Sequence, residues 1–375
     1  MPCPVSFALP CIISGKTLEN NKLRELRSNT NICWGSSPVK GKIPLSPPSL
    51  IIFSKKINKL NAPLSLANSA IFLYNPAVDF VTLLQQLING LSLGSLYALI
   101  AIGYTMVYGI LRLINFAHGD LLMVAAYIAV MGVGLFAWPW PVAFGLAIGL
   151  TGLLGVLLER GAYRPLRRAP RLSLLISAIA TSFLLENLAL VIAGGRPQPF
   201  PVPAALAGVL PWGGLFIPRL SLLIPAITAA LLGLLFLIVY RTPAGRAMRA
   251  IAKDLETVSL LGIDVNRIIA LTFLLGSLLA GAGGLLWAMK YPQVNPFMGI
   301  LPGLKAFIAA VLGGIGNLPG AVLGGLILGL LEVLIVALAP AWAGYRDALA
   351  FALLIVILLL RPTGLLGEMV GEEKL

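Results

Sequence analysis

"FALLIVILLL", Phe351 to Leu360, is apolar at every one of its ten positions. A barrel strand in an outer membrane alternates lipid-facing and lumen-facing residues over about ten positions. A run with no polar face is a helix surrounded by lipid or protein. Working outward, the same texture recurs along the chain, which is 58% hydrophobic and 11% charged, with a mean hydropathy of +0.95. Apolar runs fall at about 81–111, 120–137, 139–158, 172–193, 219–240, 268–289, 304–338 and 346–360. A helix crossing a bilayer needs about 20 such residues. The first run is long enough for one tilted helix or a broken pair. The 304–338 run fits two passes interrupted at "GGIGNLPG". The chain therefore reads as an all-α, polytopic integral membrane protein with about eight or nine transmembrane helices.

The net charge of +13 is unevenly placed. Residues 1–77 hold nine Lys or Arg against two acids, and residues 78–375 hold eighteen against twelve. Within the apolar body the bases gather in two loops. One carries Arg160, Arg164, Arg167, Arg168 and Arg171; the other carries Arg241, Arg246, Arg249, Lys253 and Arg267. Basic short loops face the cytoplasm, so charge here reports orientation, and a nucleic-acid partner is not indicated. The connection at 194–218 is rich in Pro, contains Trp212 and has only Arg196 as a basic residue, which suits the opposite face. The C-terminal "RPTGLLGEMVGEEKL" then lies inside.

Residues 1–77 differ from the body. They are rich in Asn, Ser, Lys and Pro, lack regular periodicity and contain all three cysteines, Cys3, Cys11 and Cys33. Such a segment is expected to be disordered or not natively translated. Because "VDFVTLLQQL" begins abruptly, we expect the native start at Val78, with the apolar body at 78–375. The "SGKT" at Ser14–Thr17 is no phosphate loop, because Pro10 stands where the first Gly of that motif belongs.

Between two spans lies "RAMRAIAKDLETVSLLGIDVNR", Arg246 to Arg267. Met248, Ile251, Leu255, Val258 and Leu261 recur at three- and four-residue steps, which predicts one amphipathic helix stopped by Gly262. Acids are interspersed with its bases (Asp254, Glu256 and Asp264 beside Arg249 and Lys253), a pattern that suits a protein partner better than anionic lipid.

"DLETVSLLGIDVNRI", with Glu256 and Gly262 six apart, resembles the cytoplasmic coupling loop of ABC-importer permeases. "LINFAHGDLLMVAAY" (Leu113 to Tyr127), "GLKAFIAAVLGGIGNLPGAVLGGLILGLLE" (Gly303 to Glu332) and "RPTGLLG" (Arg361 to Gly367) are similar to the branched-chain amino acid permease family, over about 79–367. The resemblance implies a transport subunit in the cell inner membrane. It implies pairing with a second related permease, two cytoplasmic ATPase subunits and an extracytoplasmic solute-binding protein. It also implies a small neutral amino acid as substrate and Arg249, Lys253, Asp254, Glu256 and Gly262 as the ATPase-coupling loop. Similar permeases serve urea and short amides.

Other residues are candidates for a translocation path or gate. His118, the only histidine, lies in "NFAHGD" with Asn115 nearby, where a structural hydrogen bond or capping of a helix start by Asn115 is expected. Lys305 and Glu332 fall in apolar runs, where charge is costly and must face a cavity, a partner or each other. Glu186 is similarly placed, at a position where the family more often has a neutral polar residue. The "GGIGN" at Gly313, Gly314, Gly316 and Asn317 could break a helix and expose backbone carbonyls to a cavity. Gly320, Gly324, Gly325 and Gly329 recur at four-residue steps that permit close helix packing.

No catalytic set, metal cluster or cofactor site emerges, so an enzyme is not expected. The alternative to an ATP-driven subunit is a stand-alone secondary transporter whose 246–267 helix only anchors it to lipid.

Overall fold

The computed structural model describes residues 80–367 apart from 168 and 213, and at 171, 212 and 256 it describes only the backbone. The expectations for residues 1–77 and for a start at Val78 lie outside the described residues.

The described chain is all-α. Its helices are α1 (Phe80–Leu111), α2 (His118–Gly134), α3 (Trp140–Leu158), α4 (Arg171–Ala193), α5 (Arg219–Arg241), α6 (Pro243–Lys253), α7 (Leu255–Leu260), α8 (Val265–Lys290), α9 (Ile300–Gly313), α10 (Leu318–Leu338) and α11 (Arg346–Leu360). Among the described residues, seven helical segments are long and apolar enough to cross a membrane, and α2 and α9 are shorter apolar helices. The first apolar run is one unbroken 32-residue helix.

The boundaries follow local chemistry. Thr242 caps α6, accepting from the Gly245 amide at 3.1 Å, with Pro243 at the first helical position. Asp264 caps α8 through the Arg267 amide. Asn317 caps α10 through the Gly320 amide at 3.0 Å. Gly314 and Gly316 adopt φ of 108° and 94° between α9 and α10, a left-handed region that side chains with a Cβ rarely enter.

α1 is the central element, buried almost continuously from Gly90 to Val107. It packs against α10, α8, α9 and α5. Lipid supplies no hydrophobic drive for helix association, so close approach comes from small residues. A Cβ on Gly325 would strike the backbone of Ala98, and one on Gly329 would strike Gly94, both on α1. Cβ atoms on Gly320 and Gly324 would strike Gly313 and Ala309 on α9. The two glycine pairs thus serve two neighbours of one helix.

Strands are minor. β1 (Gln198–Pro199) pairs antiparallel with β4 (Gln293–Val294), joining the 194–218 connection to the segment after α8. β2 (Val209–Trp212) and β3 (Leu215–Pro218) form a hairpin. At the other end of the bundle, Arg167 donates to Asn266 at 2.8 Å, so the two basic loops meet.

Candidate functional site

The segment expected as one amphipathic helix is two. Met248, Ile251 and Val258 are buried, but Leu255 and Leu261 are 43% and 72% exposed, so the stripe does not continue through them. Asp254 is the cause. Its backbone is extended (φ −150°, ψ 103°), which ends α6. Its side chain then accepts from the Thr257 amide at 3.0 Å and from the Thr257 hydroxyl, starting α7 in a new phase. Gly262, at φ 76°, follows the end of α7. Glu256 lies in the first turn of α7, Lys253 is exposed, and the Arg249 guanidinium sits 5.1 Å from the centre of the Tyr240 ring.

α6 reaches the core of the bundle. Met248, Arg249 and Ala252 share a cavity of about 70 Å³ with Thr105, Gly109 and Gly316. Arg112, which follows α1, donates to the Ala252 carbonyl at 3.4 Å. The loop between α9 and α10 therefore borders the same space as α6.

That loop is stitched to the C-terminal segment. The Leu365 and Leu366 amides donate to the Leu312 and Gly313 carbonyls at 2.9 and 3.0 Å, and the Asn317 side-chain amide donates to the Leu366 carbonyl at 2.7 Å. The sequence does break the helix here, and two of the carbonyls at the end of α9, those of Leu312 and Gly313, are occupied by "RPTGLLG".

Asn115 does not cap α2. The position before the helix is Ala117, with no side-chain cap, and the Asn115 side chain accepts from the Tyr163 hydroxyl at 2.5 Å. Only the Asn115 backbone carbonyl serves the helix start, accepting from the His118 amide. The 159–163 turn is a π-helix, which carries Tyr163 inward to Asn115 and places buried Glu159 in an ion pair with Arg167. His118 is buried with its ring toward the α1 backbone at Gly103 and edge-on to Tyr104, centroids 4.6 Å apart.

Lys305 and Glu332 meet at 2.7 Å. Lys305 also reaches Asp347 at 2.6 Å, and Glu332 accepts from the Tyr97 hydroxyl at 2.9 Å. Four helices, α1, α9, α10 and α11, thereby share one ionic cluster. Tyr97 and Asp347 carry no signal in sequence, since neither is unusual alone.

A second cavity brings Glu186, which the sequence singled out, together with polar residues it did not. About 220 Å³ in volume, it lies among α1, α2, α4 and α9 and is lined by Asp120, Ser182, Glu186 and several aromatic rings. Ser182 donates to Asp120. Three polar residues spread over two separate helices form no local pattern.

Among the described residues, no three His, Cys, Asp or Glu side chains could together hold a metal ion.

With this geometry in view, comparison with known proteins is specific. The family model for the branched-chain amino acid transport system permease component matches residues 86–358. The high-affinity branched-chain amino acid transport system permease protein BraD of Pseudomonas aeruginosa is 46% identical over 300 residues, 76% of this chain and 96% of that protein. The corresponding LivH of Escherichia coli K12 is 45% identical over 304 residues, 77% of this chain and 97% of its own length. The ribose import permease protein RbsC of the same strain is 29% identical over 271 residues, covering 68% of this chain and 78% of RbsC. The chain belongs to the family of branched-chain amino acid transport system permease components.

Proposed function

We propose that the chain is the membrane-spanning permease subunit of an ATP-binding-cassette importer in the cell inner membrane, carrying branched-chain or related small neutral amino acids. The observation that carries this reading is the 46% identity extending over 96% of a permease named for that transport. The lower identity to a ribose permease, 29%, favours the amino acid substrate over a sugar. In this reading a second related permease completes the channel, an extracytoplasmic binding protein delivers the substrate, and two cytoplasmic ATPase subunits supply the energy. Hydrolysis belongs to those partners.

The positive-inside rule puts the two basic loops in the cytoplasm. The C-terminal segment, bonded to the loop that borders α6, goes with them. α6 and α7 then form the coupling element, with Arg249, Lys253, Asp254, Glu256 and Gly262 as its docking residues. A pull on α6 reaches α1 through their direct packing and the Arg112–Ala252 hydrogen bond, and α1 is backed directly on α10. His118, Asn115, Lys305, Glu332 and the 313–317 break are the polar groups available to a path or gate.

The test is purification of the chain from its native membrane in mild detergent, with and without Glu256→Lys, alongside ATP-driven leucine uptake. A co-purifying ATPase and second permease, both depleted in the variant, with uptake falling at unchanged membrane abundance, is the expected result. A wild-type chain that purifies alone and takes up leucine with an ion gradient would replace this reading with a secondary transporter.

A further inference from the structure

The cavity among α1, α2, α4 and α9 has the chemistry of a cation site that the coupling and ion-pair clusters do not use. Asp120 and Glu186 line it and are 2% and 5% exposed. Asp120 has Ser182 as a hydrogen-bond donor, whereas Glu186 has no hydrogen-bond or ion-pair partner among the described residues. No Lys or Arg is among the lining residues. A carboxylate inside a membrane protein without a counter-charge marks a substrate, ion or proton site, and a cationic group is the partner its charge favours. Tyr104, Phe116 and Phe307 form an aromatic wall, with centroids 6.1 Å apart for the Tyr104–Phe307 pair and 6.5 Å for Phe116–Phe307. The faces of such rings attract ammonium groups.

The rest of the lining is apolar. Ile179, Phe183 and Ile300 are exposed and surround the acids with aliphatic and aromatic surface. The start of α9 also contributes, at Gly299–Ile300, with no side-chain cap and no acid in its first turn, whereas Asp120 itself occupies the first turn of α2. Helix N-termini carry partial positive charge that favours a carboxylate. Acid, apolar wall and helix start together match the three parts of a neutral amino acid.

We propose that this cavity receives the ammonium group of the amino acid within the membrane, with Asp120 and Glu186 as its counter-charges. The inference rests on the amino acid reading above and assigns that reading a position in the chain.

The test uses the assembled complex in detergent, free of nucleotide and of binding protein, with saturation-transfer NMR as the readout. The probes are leucine, isopentylamine, which keeps the ammonium and the side chain, and 4-methylpentanoate, which lacks the ammonium. Isopentylamine and leucine should bind, with apparent affinity about tenfold weaker in Glu186→Gln and in Asp120→Asn, the loss expected for one hydrogen bond to a charged group. Glu186→Asp, which keeps the charge on a shorter stem, should retain more amine affinity than Glu186→Gln, an order that a role in packing alone would not produce. Equal amine affinity in wild type and both neutral variants would overturn the proposal, as would 4-methylpentanoate binding as tightly as isopentylamine.

ATP-driven uptake separates the two readings. If Glu186→Gln takes up leucine with unchanged KM and rate, the cavity assignment falls and the importer stands. If the wild type fails to take up leucine while amine binding depends on Glu186, the importer falls and the ammonium site stands.

Discussion

Lys305 and Glu332 illustrate how a charge survives in an apolar setting. Each is almost fully buried, and each has further polar partners, Asp347 for the lysine and Tyr97 and Arg346 for the glutamate. Breaking a buried pair from one side costs about 3–5 kcal/mol, because the remaining charge is stranded. The positions of the two stranded groups differ. Without Lys305, Asp347 can turn to water, being 42% exposed at its side chain, but buried Glu332 keeps only the Tyr97 hydroxyl and the more distant Arg346, at 3.8 Å. Lys305→Met should therefore lower the detergent melting temperature and membrane abundance sharply. Lys305→Met combined with Glu332→Gln should recover much of the loss, since the amide still accepts from Tyr97. A double variant as unstable as the single one would place the cost in packing.

At the scale of elements, α10 carries two kinds of contact on glycines alone. Gly325→Leu would drive a side chain into the Ala98 backbone of α1 and should destabilise the chain by more than the roughly 1–3 kcal/mol of ordinary overpacking, because a backbone cannot move aside as a side chain can. Gly233→Leu on α5, where a Cβ meets nothing within 4 Å, is the matched control and should keep normal abundance. The glycine spacing was legible in the sequence because four-residue steps are one face of a helix. The split between α6 and α7 was not. Met248 through Leu261 keep helical periodicity straight through Asp254, and only the extended backbone there, with its side chain turned onto Thr257, resets the phase.

For the whole molecule, the spans were readable because runs such as Phe351–Leu360 leave lipid or protein as their only surroundings, and the glycine-rich interruption at 313–320 was readable as the point where one long run becomes two helices. What joins distant runs was not readable. The Tyr163–Asn115 bond, the 198–199 and 293–294 strand pair, and the Asp120–Ser182–Glu186 cavity all depend on residues from separate segments, and no local period records them. The bonds from Leu365 and Leu366 to the end of α9 are of this kind, and they carry a consequence for biogenesis. Unpaired carbonyls are costly away from water, and these two acquire their partners only after some fifty further residues have left the ribosome. The nascent chain thus holds an open seam until its last turn is made. A chain ending at Leu360 should insert all its spans yet be cleared by membrane proteases, whereas one ending at Gly367 should persist; pulse-chase labelling of the two would distinguish a sealed chain from an unsealed one.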